Sequence, residues 1–158
     1  TKHDLAKLFP EEQATTLAES LRRLVRVGLL QRACRGIYVN PSANSFDSYT
    51  IEHIAKALRR GEYNYVSLES MLSEYGLMSQ IPVDRLTVMT TGRCGVYQTP
   101  YGVIELTHTK RSVKNIIEHI KRINGRPLRI ATQKTAIRDL KRVGRNLNLL
   151  ESDALNYE

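Results

Sequence analysis

The stretch QATTLAESLRRLVRVGLLQRACRGIYVNP, residues 13–41, decides how this chain is read. Its first half has a helical period. Ala14, Leu17, Leu21, Leu24 and Val25 share one side at 100° per residue, which predicts a helix over Gln13–Val27. The other side collects Thr15, Glu19, Arg22, Arg23 and Arg26, and Gly28 supplies a C-terminal stop. The second half is β-like. Leu29–Ala33 and Gly36–Asn40 read as short strands around a turn at Cys34-Arg35-Gly36, and Pro41 ends the second because it has no N–H for a ladder.

Working outward, Thr1 and Asp4 have the spacing of a capping box, with Asp in the usual place of Glu. Leu5, Leu8 and Phe9 then give one apolar face to a short helix ending at Pro10, and Ala6 is small enough to let a second helix cross closely. Helix, turn, helix and β-hairpin is the order of a winged helix-turn-helix, so residues 1–41 are expected to form a DNA-binding domain. A major groove about 12 Å wide admits one helix, whose N-terminal residues reach base edges while its flanks meet phosphate. Thr15 and Thr16 stand at that N-terminal end, Arg22, Arg23 and Arg26 follow along the outward side, and Arg32 and Arg35 charge the wing. The competing readings are an amphipathic helix with a solvated basic face, and a protein- or RNA-interaction module whose front domain only docks, without sequence-specific DNA binding. Winged helices usually carry an earlier helix behind the recognition unit. The chain opens on a helix cap without Met, so a helix is expected to precede Thr1.

Charge supports a polyanionic partner. The 158 residues hold 24 Lys plus Arg against 16 Asp plus Glu, a formal +8. Residues 1–45 carry seven basic against four acidic side chains, residues 46–109 five against seven, and residues 110–158 twelve against five. Two basic ends flank a slightly acidic middle, and Lys and Arg release counterions condensed on phosphates. With 41% apolar residues and no long apolar run, the sequence excludes a membrane span and shows no secretory leader. Cys34 and Cys94 are too few for a disulfide framework, which makes a reducing cytoplasm the expected compartment.

Residues 41–45 are a polar connector, and residues 46–158 are expected to form a second, mixed α/β domain with a small antiparallel sheet; the fold class is α+β. Helices are predicted over Phe46–Arg60, from the Ser67 cap to Gly76, over Val113–Ile123, and from the Thr132 cap through Val143. Strands are predicted at Tyr63–Val66, Arg85–Thr90, Cys94–Gln98, Val103–Thr107 and Leu128–Ala131, the middle three as one antiparallel stretch. The helix over 113–123 carries an Ile-rich stripe of Val113, Ile116, Ile117, Ile120 and Ile123. Lys110, Arg111, Lys114, Lys121 and Arg122 lie off that stripe, and Lys134, Arg138, Lys141, Arg142 and Arg145 form the outward side of the last helix. Asn146–Glu158 stays open between a further helix and a frayed end.

Enzyme chemistry finds little purchase. His3, His53, His108 and His119 are far apart and none has a metal-ligand partner at i+4, so no metal or cofactor is expected. His108 is the histidine with most around it, beside Lys110 and Arg111. Thr91-Gly92-Arg93-Cys94-Gly95 lacks the lysine and following helix of a phosphate loop. Neither cysteine is marked as a nucleophile, Glu105 stands alone on its strand, and Asp84 has no evident companion.

The ordered series of short motifs resembles the AbiEi family, the antitoxins of type IV toxin–antitoxin systems linked to abortive phage infection. It is carried by Arg35-Gly36-Ile37-Tyr38-Val39-Asn40-Pro41, Tyr65-Val66-Ser67-Leu68-Glu69-Ser70, Tyr75-Gly76-Leu77, Thr90-Thr91-Gly92-Arg93, Thr99-Pro100-Tyr101-Gly102, Thr107-His108-Thr109-Lys110 and Ile130-Ala131-Thr132. Similar proteins often continue from Ala-Thr with Pro-Glu, where this chain has Gln133-Lys134. The resemblance implies a repressor that binds inverted repeats of duplex operator DNA in its own promoter. It also implies a C-terminal domain that opposes a nucleotidyltransferase-like toxin without a stable complex, the antitoxin being a monomer or weak dimer that pairs on DNA. The C-terminal basic surface could then serve DNA, RNA or the antitoxin role.

Overall fold

The computed structural model describes residues 1–78 and 84–150. Helix α1 (Lys2–Leu8) starts at a complete capping box: the Thr1 hydroxyl accepts from the Asp4 N–H and the Asp4 carboxylate reaches back to the Thr1 backbone. Helix α2 (Ala14–Arg26) follows, then the antiparallel hairpin β1 (Gln31–Cys34) and β2 (Ile37–Val39). A bulge lies between Arg32 and Cys34, and Gly36 takes φ +79° in the turn, a backbone state open to glycine.

The larger layer is a six-stranded mixed sheet. It contains β3 (Asn64–Val66), β4 (Arg85–Thr90), β5 (Gly95–Thr99), β6 (Gly102–His108), β7 (Ile120–Lys121) and β8 (Arg129–Ala131), in the order β5-β6-β4-β3-β8-β7. Helices α3 (Thr50–Leu58), α4 (Leu68–Glu74), α5 (Val113–Glu118) and α6 (Gln133–Val143) complete an α+β fold with six α-helices among the described residues. Ala33 and Ile37 of the hairpin join Ile54, Tyr65, Leu72, Val88, Ile104, Leu106 and Leu140 in one buried apolar cluster. The hairpin is therefore anchored to the sheet rather than free on a connector. Among the described residues no helix is long and apolar enough to cross a membrane.

Three local expectations are corrected. β5 and β6 pair antiparallel, but β4 and β6 run parallel, so the middle strands are not an antiparallel three. The first helix after the connector begins at Thr50 rather than Phe46, because the Asp47 carboxylate and the Thr50 hydroxyl close a turn there first. The Ile-rich helix stops at Glu118. Ile120 and Lys121 instead pair with Ala131 and Ile130, the Thr132 N–H donates to the His119 carbonyl, and only Ile116 of α5 is buried. β-Branched residues suit a strand as well as a helix, and an open ladder on β8 decides between them. Leu147–Leu149 forms a short 3₁₀ turn; residues 151–158 of that last segment lie outside the described residues.

Capping of α4 is also unlike the sequence reading. Ser67 occupies the N-cap position but makes no cap bond; its hydroxyl donates to Asp139 at 2.8 Å. The Thr87 hydroxyl, from β4, accepts the Ser70 N–H at 3.0 Å and donates to the Ser67 carbonyl at 2.7 Å. A strand residue thus satisfies the helix end.

Candidate nucleic-acid interface

Two turns of α2 face inward through Leu17 and Leu21, which are buried, while Leu24 and Val25 are half-buried. That orientation places Thr15, Thr16, Arg22, Arg23 and Arg26 in solvent. Arg22 meets Glu19 at 2.8 Å, with side chains 75% and 66% exposed, a surface pair that holds neither group firmly. Arg23 and Arg26 have no acidic partner among the described residues. Gln13 makes no side-chain cap bond and the first turn holds no acid, so the leading N–H groups of α2 are not neutralised by a carboxylate.

The hairpin that follows carries two more exposed cations. Arg32 and Arg35 are exposed, whereas Ala33 and Ile37 on its other face are buried. The hairpin turn is held at its base, where the Lys2 N–H donates to the Gly36 carbonyl at 2.8 Å. Tyr101 donates its hydroxyl to the Gln31 side chain, tying β1 to the β5–β6 turn. Asp4 accepts two hydrogen bonds from Arg60, which fix α1 to the end of α3 and hold the Asp4 carboxyl well below the usual carboxylate range. Burial pushes the Cys34 thiol up against a weaker pull from Arg32, so Cys34 is a packed thiol rather than a reactive one.

Between α1, α2 and the hairpin lies an apolar groove of about 660 Å³, lined by Leu5, Phe9, Leu17, Leu21, Leu24 and Leu29 among others. Leu8 and Phe9, expected to bury the α1 face, are exposed beside it.

The C-terminal cations divide. Lys110, Lys114, Lys121, Arg122, Lys134, Arg138, Lys141 and Arg142 are exposed. Arg111 is not part of that surface: its side chain is 15% exposed and lies against the fully buried Asp139. Arg145, expected to face outward from the last helix, instead bonds Glu69 at 2.8 and 3.0 Å and also reaches Glu105. Asn146 donates to Glu69 as well, and Arg85 meets Glu105 at 2.7 Å. Glu105 is consequently bracketed by two guanidiniums instead of standing alone. Burial would raise its pKa, but the bonds from Arg145 and Arg85 bring it below the ordinary value. A third network joins Arg126 to Glu52 and Glu74 at 2.7 and 2.8 Å, with the Arg126 guanidinium 5.5 Å from the Tyr49 ring centre.

Sequence reasoning misses these networks, although a signal exists for one. Asp139 falls between Ile137 and Leu140 on the inward stripe of α6, where an unpaired carboxylate would be costly. Its Oδ2 accepts from Ser67 at 2.8 Å and from Tyr65 at 3.2 Å. Burial and the neighbouring Asp139 charge push the Tyr65 hydroxyl well above the ordinary tyrosine range.

His108 is exposed, with Nδ1 2.8 Å from the Gly92 carbonyl, and no group of three or more metal-ligating side chains occurs among the described residues. Glu52, Glu69, Glu105 and Asp139, the buried carboxylates, all face arginine. The exposed cations form one set on α2 and the hairpin and another along α6. Comparison of the chain with protein-family models, curated proteins and solved structures finds no match.

Proposed function

We propose that residues 1–41 act as a winged helix-turn-helix that binds duplex DNA. On this reading α2 enters the major groove and the β1–β2 hairpin lies against the adjoining backbone. The observation that carries it is the exposure of Thr15, Thr16, Arg22, Arg23 and Arg26 on one helix and of Arg32 and Arg35 on the following hairpin, with one weak surface ion pair among them. The ordered motifs extend this reading to a repressor that autoregulates its operon through inverted repeats and serves as antitoxin to a nucleotidyltransferase-like toxin. The repressor and antitoxin assignments rest on the resemblance alone.

Gel-shift titration at fixed salt tests the DNA reading, using duplex from the chain's own promoter region and a scrambled duplex of equal length. Replacing Arg22, Arg23 and Arg26 by Ala should cost about 1–3 kcal/mol for each base interaction removed and narrow the gap between the two duplexes. Undiminished discrimination in the triple variant rejects the interface. Co-expression with the neighbouring reading frame tests the antitoxin role, through rescue of growth.

A second reading is favoured by the apolar groove and by exposed Leu8, Phe9 and Leu29. Here the front of the chain docks a protein, and DNA affinity is weak and indifferent to sequence.

A further inference from the structure

The arginines of this chain fall into two groups. Arg22, Arg60, Arg85, Arg111, Arg126 and Arg145 each meet a carboxylate within salt-bridge distance. Along α6, in contrast, Lys134, Arg138, Lys141 and Arg142 are all exposed and none meets an acid among the described residues. Their spacing aligns them: 134, 138 and 142 are successive i, i+4 neighbours and 141 lies one turn from 138. The acid of this helix, Asp139, is wholly buried and faces Arg111 instead. Arg142 donates to the His108 carbonyl at 3.1 Å, which brings the end of β6 and its following Lys110 up to the same helix.

Burial lowers the pKa of Arg138, and the positive charges of Arg111 and then Arg142 lower it further, against the opposing pull of Asp139. Like charges at i, i+4 destabilise an isolated helix, so the row is maintained against its own repulsion. At 1.5 Å per residue, Lys134 to Arg142 spans about 12 Å as a line of cations. A linear polyanion relieves that repulsion along its whole length.

We infer that the α6 row of Lys134, Arg138, Lys141 and Arg142 is a second DNA-binding surface, holding the phosphate backbone of a duplex without reading its sequence. This inference rests on the α2 reading for the choice of duplex DNA as the polyanion. Lysine and arginine on phosphates contribute affinity and register, while base-edge interactions contribute specificity.

The salt dependence of binding separates the two surfaces. Affinity of the full chain for the promoter and scrambled duplexes would be measured across a salt series, for the unaltered chain and for a Lys134→Gln/Lys141→Gln variant. Both lysines are exposed on α6, so the fold should be unaffected, as circular dichroism melting would verify. Every phosphate no longer neutralised should reduce the slope of log affinity against log salt by about 0.9, so the variant's slope should be shallower by about 1.8. Affinity should fall equally on both duplexes. An unchanged slope overturns the inference, and so does weakening confined to the promoter duplex. The Arg22/Arg23/Arg26 triple variant runs in parallel. If it keeps full discrimination while the lysine variant has the shallower slope, the α2 reading fails and the α6 surface stands. If it loses discrimination while the lysine variant behaves like the unaltered chain, the α6 surface alone fails. Absence of duplex binding by the unaltered chain at low salt rejects both.

Discussion

Arg111 Nη1 lies 2.9 Å from Asp139 Oδ1, an ion pair in which neither atom has a hydrogen-bond partner. The interaction is therefore Coulombic, inside a site where Asp139 is fully buried and Arg111 nearly so. Asp139 spends its second oxygen on Ser67 and Tyr65, which pins β3, the α4 N-terminus and α6 to one carboxylate. The pair also withdraws Arg111 from the surface cations.

Removing the charge from one side should expose how much depends on the other. Asp139→Asn preserves an acceptor for Ser67 and Tyr65 but leaves Arg111 uncompensated, and breaking a buried pair in this way costs about 3–5 kcal/mol. Adding Arg111→Met should return part of that stability. Denaturant unfolding of both single variants and the double decides it: strictly additive costs would mean the pair is not coupled.

The strand-supplied cap of α4 makes its own forecast. Thr87→Val keeps shape but strands the Ser70 N–H and removes the bond to the Ser67 carbonyl. An orphaned buried donor costs about 1–3 kcal/mol. Ser70 amide hydrogen exchange should accelerate in the variant, and unaltered protection would show that another group caps the helix.

Acid should weaken the Glu69–Arg145–Glu105–Arg85 network. Because the Glu105 pKa is lowered on folding, its contribution is present above the ordinary value of 4.5 and is lost as pH falls below it, through the still lower folded value. Thermal midpoints measured from about pH 6 down to about pH 3 should drop, and Glu105→Gln should flatten the curve in that window. Parallel curves for the two proteins would count against the assignment.

Two glycines provide a graded test of backbone strain. Gly144 takes φ +72° with open space where a Cβ would sit, so Gly144→Ala carries only the left-handed cost of about 1–2 kcal/mol. Gly102 takes φ +115°, and a Cβ there would stand 2.7 Å from the Asp84 carbonyl oxygen. Gly102→Ala should be the more damaging of the two by unfolding midpoint, since steric overlap with backbone is added to strain.

Legibility in the sequence followed the range of the interaction. The α1 capping box, the Thr132 cap and the amphipathic faces of α2 and α6 were all readable, since each depends on residues within two or three turns. So were the exposed positions of Thr15, Thr16 and the α2 arginines, which follow from the period of Leu17 and Leu21. The Val113–Ile123 stripe misled because isoleucine serves both periods, and only the free ladder of β8 made Ile120 a strand residue. Parallel pairing of β4 with β6 was equally hidden, since nothing between them records which neighbour a strand will choose.

Local order along the chain thus determined where most helices and strands lie and which side chains of α2 face water, because capping and hydrophobic period act between near neighbours. Tertiary structure alone decided which arginines stay available. Arg111, Arg126 and Arg145 look like Arg138 and Arg142 in sequence, but folding brings buried carboxylates from distant segments against the first three. A charge removed from water needs its partner close by, and that partner can come from any distance along the chain.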